Sequence, residues 1–360
     1  MREAAGAALA TGVDQFVSAF TLRRSKRSRA QSRTERLDHG ERIAALETLA
    51  ERHRAPRFET TPDVFFGRAG EAGPWLRAPV RQLRRGGRVV DVHWESGYEP
   101  LAEEQDVLAK LSSVKENAFA HARLYLHPTP RPTAILVHGY LGGAYPVEER
   151  AWPVRWLFDQ LGLDLALVVL PYHGPRRGGR RPLLPASDPR ITLEGFRQAV
   201  WDIISLRRAL SARGAPAVGI MGMSLGGYTT SLALTADADL AFGVPFIPLA
   251  SIADFAREGG RLTGTPAEQD AQHLAIERAH APVSPFSRRP LVAPEAIHVV
   301  AARSDRITPP SHARRLAHHF DADMTTFYGG HLLQLGRRDA FRAIAKKLAS
   351  RGLLSRPPAP

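Results

Sequence analysis

The chain has 360 residues, enough for one large α/β domain with an extension or for two modest domains. Its hydrophobic fraction of 44% is typical of a globular protein and excludes wholesale disorder. Cysteine is absent, so disulfides, thiolate nucleophiles and cysteine metal sites are excluded. A formal charge of +13 comes mostly from arginine, and either a preference for arginine codons or an anionic partner explains it.

Residues 1–85 are predicted to be a basic extension with helical and irregular segments. The run TLRRSKRSRAQSRTER packs seven basic residues against one glutamate, and GERIAALETLAERHR has apolar residues at helical spacing. The basic run is a solvated helix face or an arm, or else it docks on an anionic membrane surface. No signal peptide and no membrane span is predicted, so we expect a cytoplasmic protein, with peripheral membrane contact as the alternative.

Residues 86–353 are predicted to form one α/β domain, followed by a proline-rich tail over 354–360. The strands RVVDVHWES and AFAHARLYLH are expected to be antiparallel neighbours. Six further strand candidates then alternate with amphipathic helices, which predicts a mostly parallel sheet covered on both faces. A long connection over about 252–295 predicts a small helical cap. In such sheets ligands bind beyond the carboxyl ends of the strands.

The stretch GIMGMSLGGY contains a G-x-S-x-G pattern centred on Ser224. A strand candidate precedes it and a helix candidate follows, so the pattern predicts a sharp turn that lifts the serine hydroxyl above the sheet. Gly222 and Gly226 are required there because a Cβ would clash in so tight a bend. The amide of Leu225 would then lie at a helix N-terminus, where it can stabilise an oxyanion. An ordinary turn serine is the alternative.

A serine hydroxyl needs a base to act as a nucleophile, and the base needs a carboxylate to orient it. Asp305 and His331 each follow a predicted strand, in the expected chain order after the serine. Asp254 also follows a strand and is the alternative acid. The alternative bases are His298, His318 and His319.

These segments together resemble the α/β-hydrolase superfamily, from about Arg88 to Leu348. The matching stretches are LVHGYLGG, GMSLGG, ARSDRITPP and GGHL. In that family the residue after the His-Gly pair supplies a second oxyanion-hole amide, so the resemblance implies this role for Tyr140. It also implies that His138 bonds the oxyanion loop rather than moving protons. The expected fold is an α/β hydrolase with a small cap and a basic N-terminal extension.

The segment from Tyr172 to Arg190 holds five arginines just after a strand. It is either a solvated loop or a recognition site in which Arg176, Arg177 and His173 bind a phosphate or carboxylate of the substrate. The chain has no H-E-x-x-H pattern and no phosphate loop, so no metal and no cofactor are expected.

The predicted activity is hydrolysis of a carboxylic ester through an acyl-enzyme, with Ser224 as nucleophile, His331 as base and Asp305 as the orienting acid. The expected partner is a small-molecule ester or a lipid, and no nucleic-acid partner is expected. Deacylation of a phospholipid or lysophospholipid is one alternative. A non-catalytic binding module on the same fold is the other.

Overall fold

The computed structural model describes residues 3, 6–7, 10–12, 14, 38–54, 58, 61–179 and 181–354. The basic run over residues 21–36 and the tail from residue 355 lie outside the described residues. The predictions made for those two segments therefore stay predictions.

A nine-stranded sheet forms the centre of the protein, in the order β1-β2-β3-β5-β4-β6-β7-β8-β9. The strands are β1 (Leu76–Gln82), β2 (Arg88–Glu95), β3 (Phe119–Leu126), β4 (Thr133–Val137), β5 (Asp164–Val169), β6 (Val218–Met223), β7 (Gly243–Phe246), β8 (His298–Ala302) and β9 (Asp323–Phe327). The pairings among β1, β2, β3 and β5 are antiparallel, and all pairings from β5 through β4 to β9 are parallel. The predicted mostly parallel sheet is confirmed.

Strand β1 was not predicted. Every residue in it is exposed, it contains Pro79, and its pairing with β2 is irregular between Pro79 and Arg81. An exposed edge strand lacks the apolar alternation that identifies a strand in a sequence, and proline is tolerated at such an edge. Because β1 pairs with β2, the predicted domain boundary near residue 86 falls between two paired strands.

Helices cover both faces of the sheet. They are α1 (His39–Arg52), α2 (Pro62–Phe66), α3 (Gln105–Ser112), α4 (Tyr145–Ala151), α5 (Pro189–Ala212), α6 (Leu225–Leu234), α7 (Ile252–Glu258), α8 (Pro266–Ala279), α9 (Pro310–Phe320) and α10 (Arg337–Ser350). One of the amphipathic segments between the strands, EERAWPVRWLFDQLG, is not a continuous helix, because Pro153 follows the end of α4 and a separate π-helical turn covers Trp156–Gln160. In the described part of the chain, no helix combines the length and apolarity needed to cross a bilayer.

The buried side chains form two clusters, one on each face of the sheet. One cluster joins the sheet to α5, α6 and α9 through residues such as Phe196, Tyr228 and Leu316. The other joins the opposite face to α10 and the π-helical turn through Phe341 and Leu157. The sheet is therefore buried on both sides, as the continuous apolar strands indicate.

The described part of the N-terminal segment packs against this domain. Helix α1 begins with a capping box at Asp38 and buries Leu46 and Leu49 in the first cluster. Its Glu47 accepts a hydrogen bond from Arg278 of α8 over 3.0 Å. Helix α8 and the short α7 lie within the segment predicted as a cap, so α1 rests on that segment.

Candidate active site

Ser224 lies in a sharp turn between β6 and α6. Its φ of 57° and ψ of −113° are values that residues other than glycine rarely adopt. Its carbonyl oxygen accepts hydrogen bonds from Tyr228 N and Leu249 N, each over 3.1 Å, and its N–H donates to Phe246 O over 3.0 Å. The strained turn is thus held from the helix and from the neighbouring strand. This is the strand–turn–helix context that the G-x-S-x-G pattern predicts.

The glycines around Ser224 allow three segments to meet. A Cβ at Gly226 would lie 2.2 Å from Val137 O, and one at Gly222 would lie 2.0 Å from Gly226 O. Neither position can therefore carry a side chain without movement of the backbone. A Cβ at Gly139 would lie 3.5 Å from Ser224 Cβ, so the loop after β4 runs directly beside the serine.

Asp305 and His331 form a buried pair in the loops after β8 and β9. His331 Nδ1 donates a hydrogen bond to Asp305 Oδ2 over 2.7 Å, and both side chains are almost fully buried. Asp305 Oδ1 accepts the N–H groups of Ile307 and Thr308, each over 2.8 Å. Thr308 Oγ1 lies 3.2 Å from Asp305 Oδ2 and 3.0 Å from His331 Nδ1. Since Nδ1 carries the proton, Nε2 is the basic nitrogen of His331.

Two opposing effects set the pKa of His331. Burial by itself lowers the pKa, because it disfavours the charged imidazolium. The negative charge of Asp305, its hydrogen bond and the charge of Asp14 act the other way and leave the pKa of His331 above its ordinary value. The imidazole is therefore more basic than an ordinary buried histidine, which suits a group that accepts a proton from a serine.

Ser224, Asp305 and His331 lie at the same edge of the sheet, because β6, β8 and β9 run in the same direction. Gln334 connects two of the loops, since its Nε2 donates to His331 O over 3.1 Å and lies 3.9 Å from Met223 Sδ. In the described part of the chain no hydrogen bond joins Ser224 Oγ to His331. Such bonds are often long without substrate and tighten when it binds.

His138 holds the loop after β4. Its Nε2 accepts a hydrogen bond from Leu170 N over 3.0 Å, so Nδ1 carries the proton and donates to Gly139 O over 2.7 Å. Burial is the main cause that lowers the pKa of His138 to about 3, and the side chain is neutral. The structural role predicted for His138 agrees with these contacts.

Tyr140 and Leu225, the predicted oxyanion-hole residues, belong to two segments that meet at Ser224. Leu225 is the first residue of α6, so its N–H lies at a helix N-terminus. Tyr140 follows Gly139 in the loop beside Ser224, and the far end of that loop is held by Glu148 Oε1, which accepts Gly143 N over 2.9 Å. The tyrosine side chain itself is 49% exposed.

The alternative acid and bases lie elsewhere. Asp254 lies in α7, where it accepts a hydrogen bond from His273 Nε2 over 2.8 Å and another from Arg315. It does not pair with His331. His298 contacts Thr325 in the sheet. Two histidines lie at the end of α9. His318 is exposed, and His319 contacts a backbone carbonyl.

The prediction that Arg176 binds an anionic substrate is wrong. Its side chain is fully buried, and its guanidinium pairs with Asp202 Oδ2 over 2.8 Å. It also donates to Val169 O over 3.0 Å and to Asn117 O over 3.1 Å. A buried cation that is already neutralised by a carboxylate is not available to a ligand. Arg176 fixes the loop after β5 to helix α5.

His173 and Arg177, the other residues predicted to bind substrate, have different environments. The His173 ring is fully buried and packs edge-on against Tyr140 with 6.0 Å between ring centroids. Burial lowers its pKa to about 4, and Nδ1 donates to Pro171 O over 2.9 Å. His173 therefore supports the Tyr140 loop by packing against the Tyr140 ring. Arg177 is exposed, and its part in substrate binding stays a prediction.

One group of side chains in the described residues has the spacing of metal ligands. Asp254, His273 and Glu277 each place one ligand atom within 4.8 Å of the others. This group was not predicted from the sequence, because Asp254 lies in α7 and the two other residues lie in α8. Arg315 already pairs with Asp254.

Two residues beside the Asp305–His331 pair were also missed. Thr308 could have been found, because an aspartate followed three residues later by threonine is typical of a local turn closed by side-chain hydrogen bonds. Asp14 could not, because its partners His331 and Leu332 are more than 300 residues away along the chain.

No protein family model matches the chain. The chain is 30% identical over 309 residues to the uncharacterized protein Rv2627c of Mycobacterium tuberculosis strain H37Rv, and the match spans 84% of this chain and 73% of that protein. Among solved structures, acetyl xylan esterase from Paenibacillus sp. R4 has a TM-score of 0.53 at 14% identity, covering 86% of this chain and 92% of the esterase. Acetyl xylan esterase 1 from Thermoanaerobacterium sp. JW/SL YS485 has a TM-score of 0.52 at 13% identity, covering 81% and 93%. At such identities the likeness shows a shared fold.

Proposed function

We propose that this chain, which belongs to the family of Rv2627c of Mycobacterium tuberculosis and has the α/β-hydrolase fold, is a serine hydrolase that cleaves a carboxylic ester. The observation that carries the proposal is the buried Asp305–His331 pair, 2.7 Å apart, at the edge of the sheet where Ser224 occupies a strained turn. A strained serine and a carboxylate-bound imidazole at one sheet edge are what acyl transfer requires.

In the proposed reaction Ser224 Oγ attacks the ester carbonyl carbon. His331 Nε2 takes the hydroxyl proton, and the imidazolium that forms is stabilised by Asp305. The proton then passes to the leaving alcohol as the C–O bond of the ester breaks. Water, activated by the same nitrogen, attacks the acyl-enzyme and releases the acid and free Ser224.

The backbone amides of Leu225 and Tyr140 are the proposed donors to the tetrahedral intermediate. The helix N-terminus at Leu225 favours a negative charge, and the loop of Tyr140 is held in place by His138 and Glu148. Each such donor contributes roughly two to three powers of ten in rate. Supporting contacts matter here because the oxyanion hole must be formed before the reaction begins.

The neighbours of the proposed site favour a substrate with an apolar part. Tyr140, Leu141 and Leu332 are all large apolar residues in the two loops around the serine, and they are 49%, 58% and 49% exposed. Helices α7 and α8 form the proposed cap segment. An acyl chain or an aromatic alcohol would cover this apolar surface and gain roughly 25 cal/mol per Å² buried.

A second candidate, deacylation of a phospholipid or lysophospholipid, is favoured by one observation. Burial raises the pKa of the Tyr140 hydroxyl, and the positive charges of Arg181 and Arg261 act against this rise, so both guanidinium groups lie near the Tyr140 side chain. Guanidinium groups bind phosphate well. This candidate replaces the predicted role of Arg176, which is buried.

The test is hydrolysis of p-nitrophenyl esters of increasing chain length, with matched neutral and phosphate-bearing esters, by the wild type and Ser224→Ala. We expect the substitution to abolish hydrolysis and fluorophosphonate labelling without loss of folding, because no other group would form the acyl-enzyme. Ser350→Ala, an exposed serine at the end of α10, is the matched control. Labelling that persists in Ser224→Ala would place the reactive serine elsewhere. A preference for phosphate-bearing esters would select the second candidate.

A further inference from the structure

The N-terminal stretch reaches the proposed active site through Asp14. This residue lies 317 positions before His331 in the chain, and its side chain is fully buried. The described residues around it, including Ala10 to Gly12, have helical backbone. A carboxylate in such a position must be satisfied by hydrogen bonds from the protein.

Three backbone N–H groups satisfy the Asp14 carboxylate. Asp14 Oδ2 accepts a hydrogen bond from His331 N over 2.6 Å, and Oδ1 accepts one from Leu332 N over 3.0 Å. Asp14 Oδ2 also accepts Arg306 N over 3.4 Å. Arg306 follows Asp305 directly. One carboxylate therefore bridges the loop that carries the proposed acid and the loop that carries the proposed base.

The histidine loop lies close against Asp14 and Ala10. A Cβ at Gly330 would lie 2.6 Å from Asp14 Oδ2 and 3.2 Å from Ala10 Cβ. Earlier in the same stretch, Gly6 packs closely against the side chains of Leu335 and Tyr328. A Cβ at this position would lie 3.1 Å from Leu335 and 3.2 Å from Tyr328. The glycine before His331 thus allows the N-terminal stretch to lie against the histidine loop.

We propose that Asp14 is a positioning residue that holds His331 and Asp305 in register for the reaction, so that the N-terminal stretch completes the active site. This inference rests on the proposed function. Asp14 does not touch the ester. It fixes the backbone of both loops, and a displacement of a reacting group by about 1 Å can cost about a hundredfold in rate.

The charge of Asp14 gives this role a signature that mere loop support lacks. The charged groups that act on the His331 imidazole are Asp305 and Asp14, and both raise its pKa, while its neighbours Thr308 and Gln334 are neutral. Removing the Asp14 charge therefore lowers the pKa of His331. The free enzyme must have a neutral imidazole, so the acidic limb of kcat/KM moves to lower pH.

The experiment compares Asp14→Asn and Asp14→Ala with Glu3→Gln. Glu3 is a matched control, because it is an exposed acid of the same stretch, 3.9 Å from Arg303 and not in contact with the histidine loop. We expect Asp14→Asn to lower kcat about tenfold with KM within about twofold, and to shift the acidic limb to lower pH. Asp14→Ala should lower kcat further, because alanine has no side-chain oxygen to accept hydrogen bonds from the backbone N–H groups. Glu3→Gln should match the wild type.

Two measurements decide the inference independently of turnover. In the folded wild type, the His331 and Leu332 amides should exchange with deuterium as slowly as core amides, and fast exchange of both would overturn the proposal even where the Asp14 variants do not fold. The NMR titration of the His331 imidazole should move to lower pH in Asp14→Asn, and an unchanged titration would also overturn it. Absence of esterase activity in the wild type would contradict the proposed function alone, leaving these two readouts to decide on Asp14.

Discussion

Asp305 uses both of its carboxylate oxygens within the protein. One oxygen accepts hydrogen bonds from two backbone N–H groups. The other accepts a hydrogen bond from the His331 imidazole and contacts the Thr308 hydroxyl. Thr308 Oγ1 in turn lies 3.1 Å from Ile247 O, which ties the acid loop to the segment after β7. A carboxylate held in this way cannot rotate away, so it keeps the proton on Nδ1 and the basic nitrogen on the opposite side of the ring.

The two candidate acids give a direct prediction. Asp305→Asn should lower kcat by about four powers of ten, because an amide no longer holds the required tautomer or stabilises the imidazolium. It should also lower the pKa of His331, since the charge of Asp305 raises that pKa. Asp254→Asn, the matched control in α7, should change kcat by less than about threefold. Steady-state kinetics of both variants over pH 5 to 9 would check this, and a reversal of the two effects would assign the acid to Asp254.

At the scale of single residues the sequence predicted which polar groups follow the strands but not how each is partnered. Ser224 follows the buried strand β6 directly, and Asp305 and His331 lie in the loops just beyond the ends of β8 and β9. Arg176 has the same kind of position, yet its partner Asp202 lies in the middle of α5. Nothing in the local pattern distinguishes an arginine that pairs inside the protein from one that faces a ligand, because the partner is supplied by the tertiary fold.

The elbow between β6 and α6 depends on close backbone contact between neighbouring elements. Helix α6 begins immediately above the end of β4, and the approach is so close that Gly226 lies against two carbonyl groups, Val137 O and His138 O. Those carbonyls belong to the strand end and the loop that carries the proposed oxyanion amide. The helix, the serine and the oxyanion loop are therefore placed by one contact.

Gly226→Ala tests this contact. Its Cβ would lie 2.2 and 2.6 Å from the two carbonyl oxygens, so backbone must shift, and we expect a loss of roughly 1–3 kcal/mol of stability together with a large loss of kcat. Gly70→Ala is the matched control, because a Cβ there would meet nothing within 4 Å. Chemical denaturation and esterase kinetics would measure both effects. Equal stability of the two variants would contradict the contact.

Elements with a strong apolar pattern were predicted from the sequence. Elements that form only through contact with a distant part of the chain were not. Strands β4 to β6 are buried throughout and mostly apolar, and α5 and α10 have regular apolar stripes, so the mostly parallel sheet and the α/β-hydrolase fold could be predicted from the sequence. Strand β1 has only exposed residues and forms because β2 offers an edge to pair with. The docking of α1 on α8 likewise brings together distant residues such as Glu47 and Arg278, which no local stretch of sequence contains.

For the whole molecule, part of the arginine excess is used inside the fold. Arg207 pairs with Asp237 over 2.8 Å, as Arg176 does with Asp202, and the side chains in both pairs are nearly fully buried. Arg197 is buried as well and donates to Glu99 O over 2.8 Å. These two ion pairs are neutral, so they reduce the number of arginines that can face a partner but leave the net charge of +13 on the rest of the chain.

Burial also sets the charge of several histidines across the molecule. The pKa is lowered to about 4 in three of them and to about 3 in a fourth, and burial is the largest cause in each. These residues are His121, His138, His173 and His280. His331 is the opposite case, because its acidic neighbours raise its pKa. The fold thus keeps its supporting histidines neutral and its proposed base readily protonated.

His280 allows this effect to be measured as pH-dependent stability. Its pKa is lowered to about 4, whereas in the unfolded chain a histidine has a pKa of 6.5. Between these values the unfolded state binds a proton that the folded state does not, so this contribution to stability is present above pH 6.5 and is lost as the pH falls toward 4. In His280→Asn the side-chain amide can still donate to Ile276 O, the acceptor that Nδ1 uses, but it cannot be protonated. As the pH is lowered, the free energy of unfolding should therefore fall less steeply in the variant, by about 1.4 kcal/mol per pH unit for one proton.

Urea unfolding at several pH values between 4.5 and 6.5 would measure the slopes of the wild type and of His280→Asn. His318→Asn, at an exposed position in α9, removes one imidazole as a matched control, and an equal change of slope in that variant would contradict the role of burial at His280.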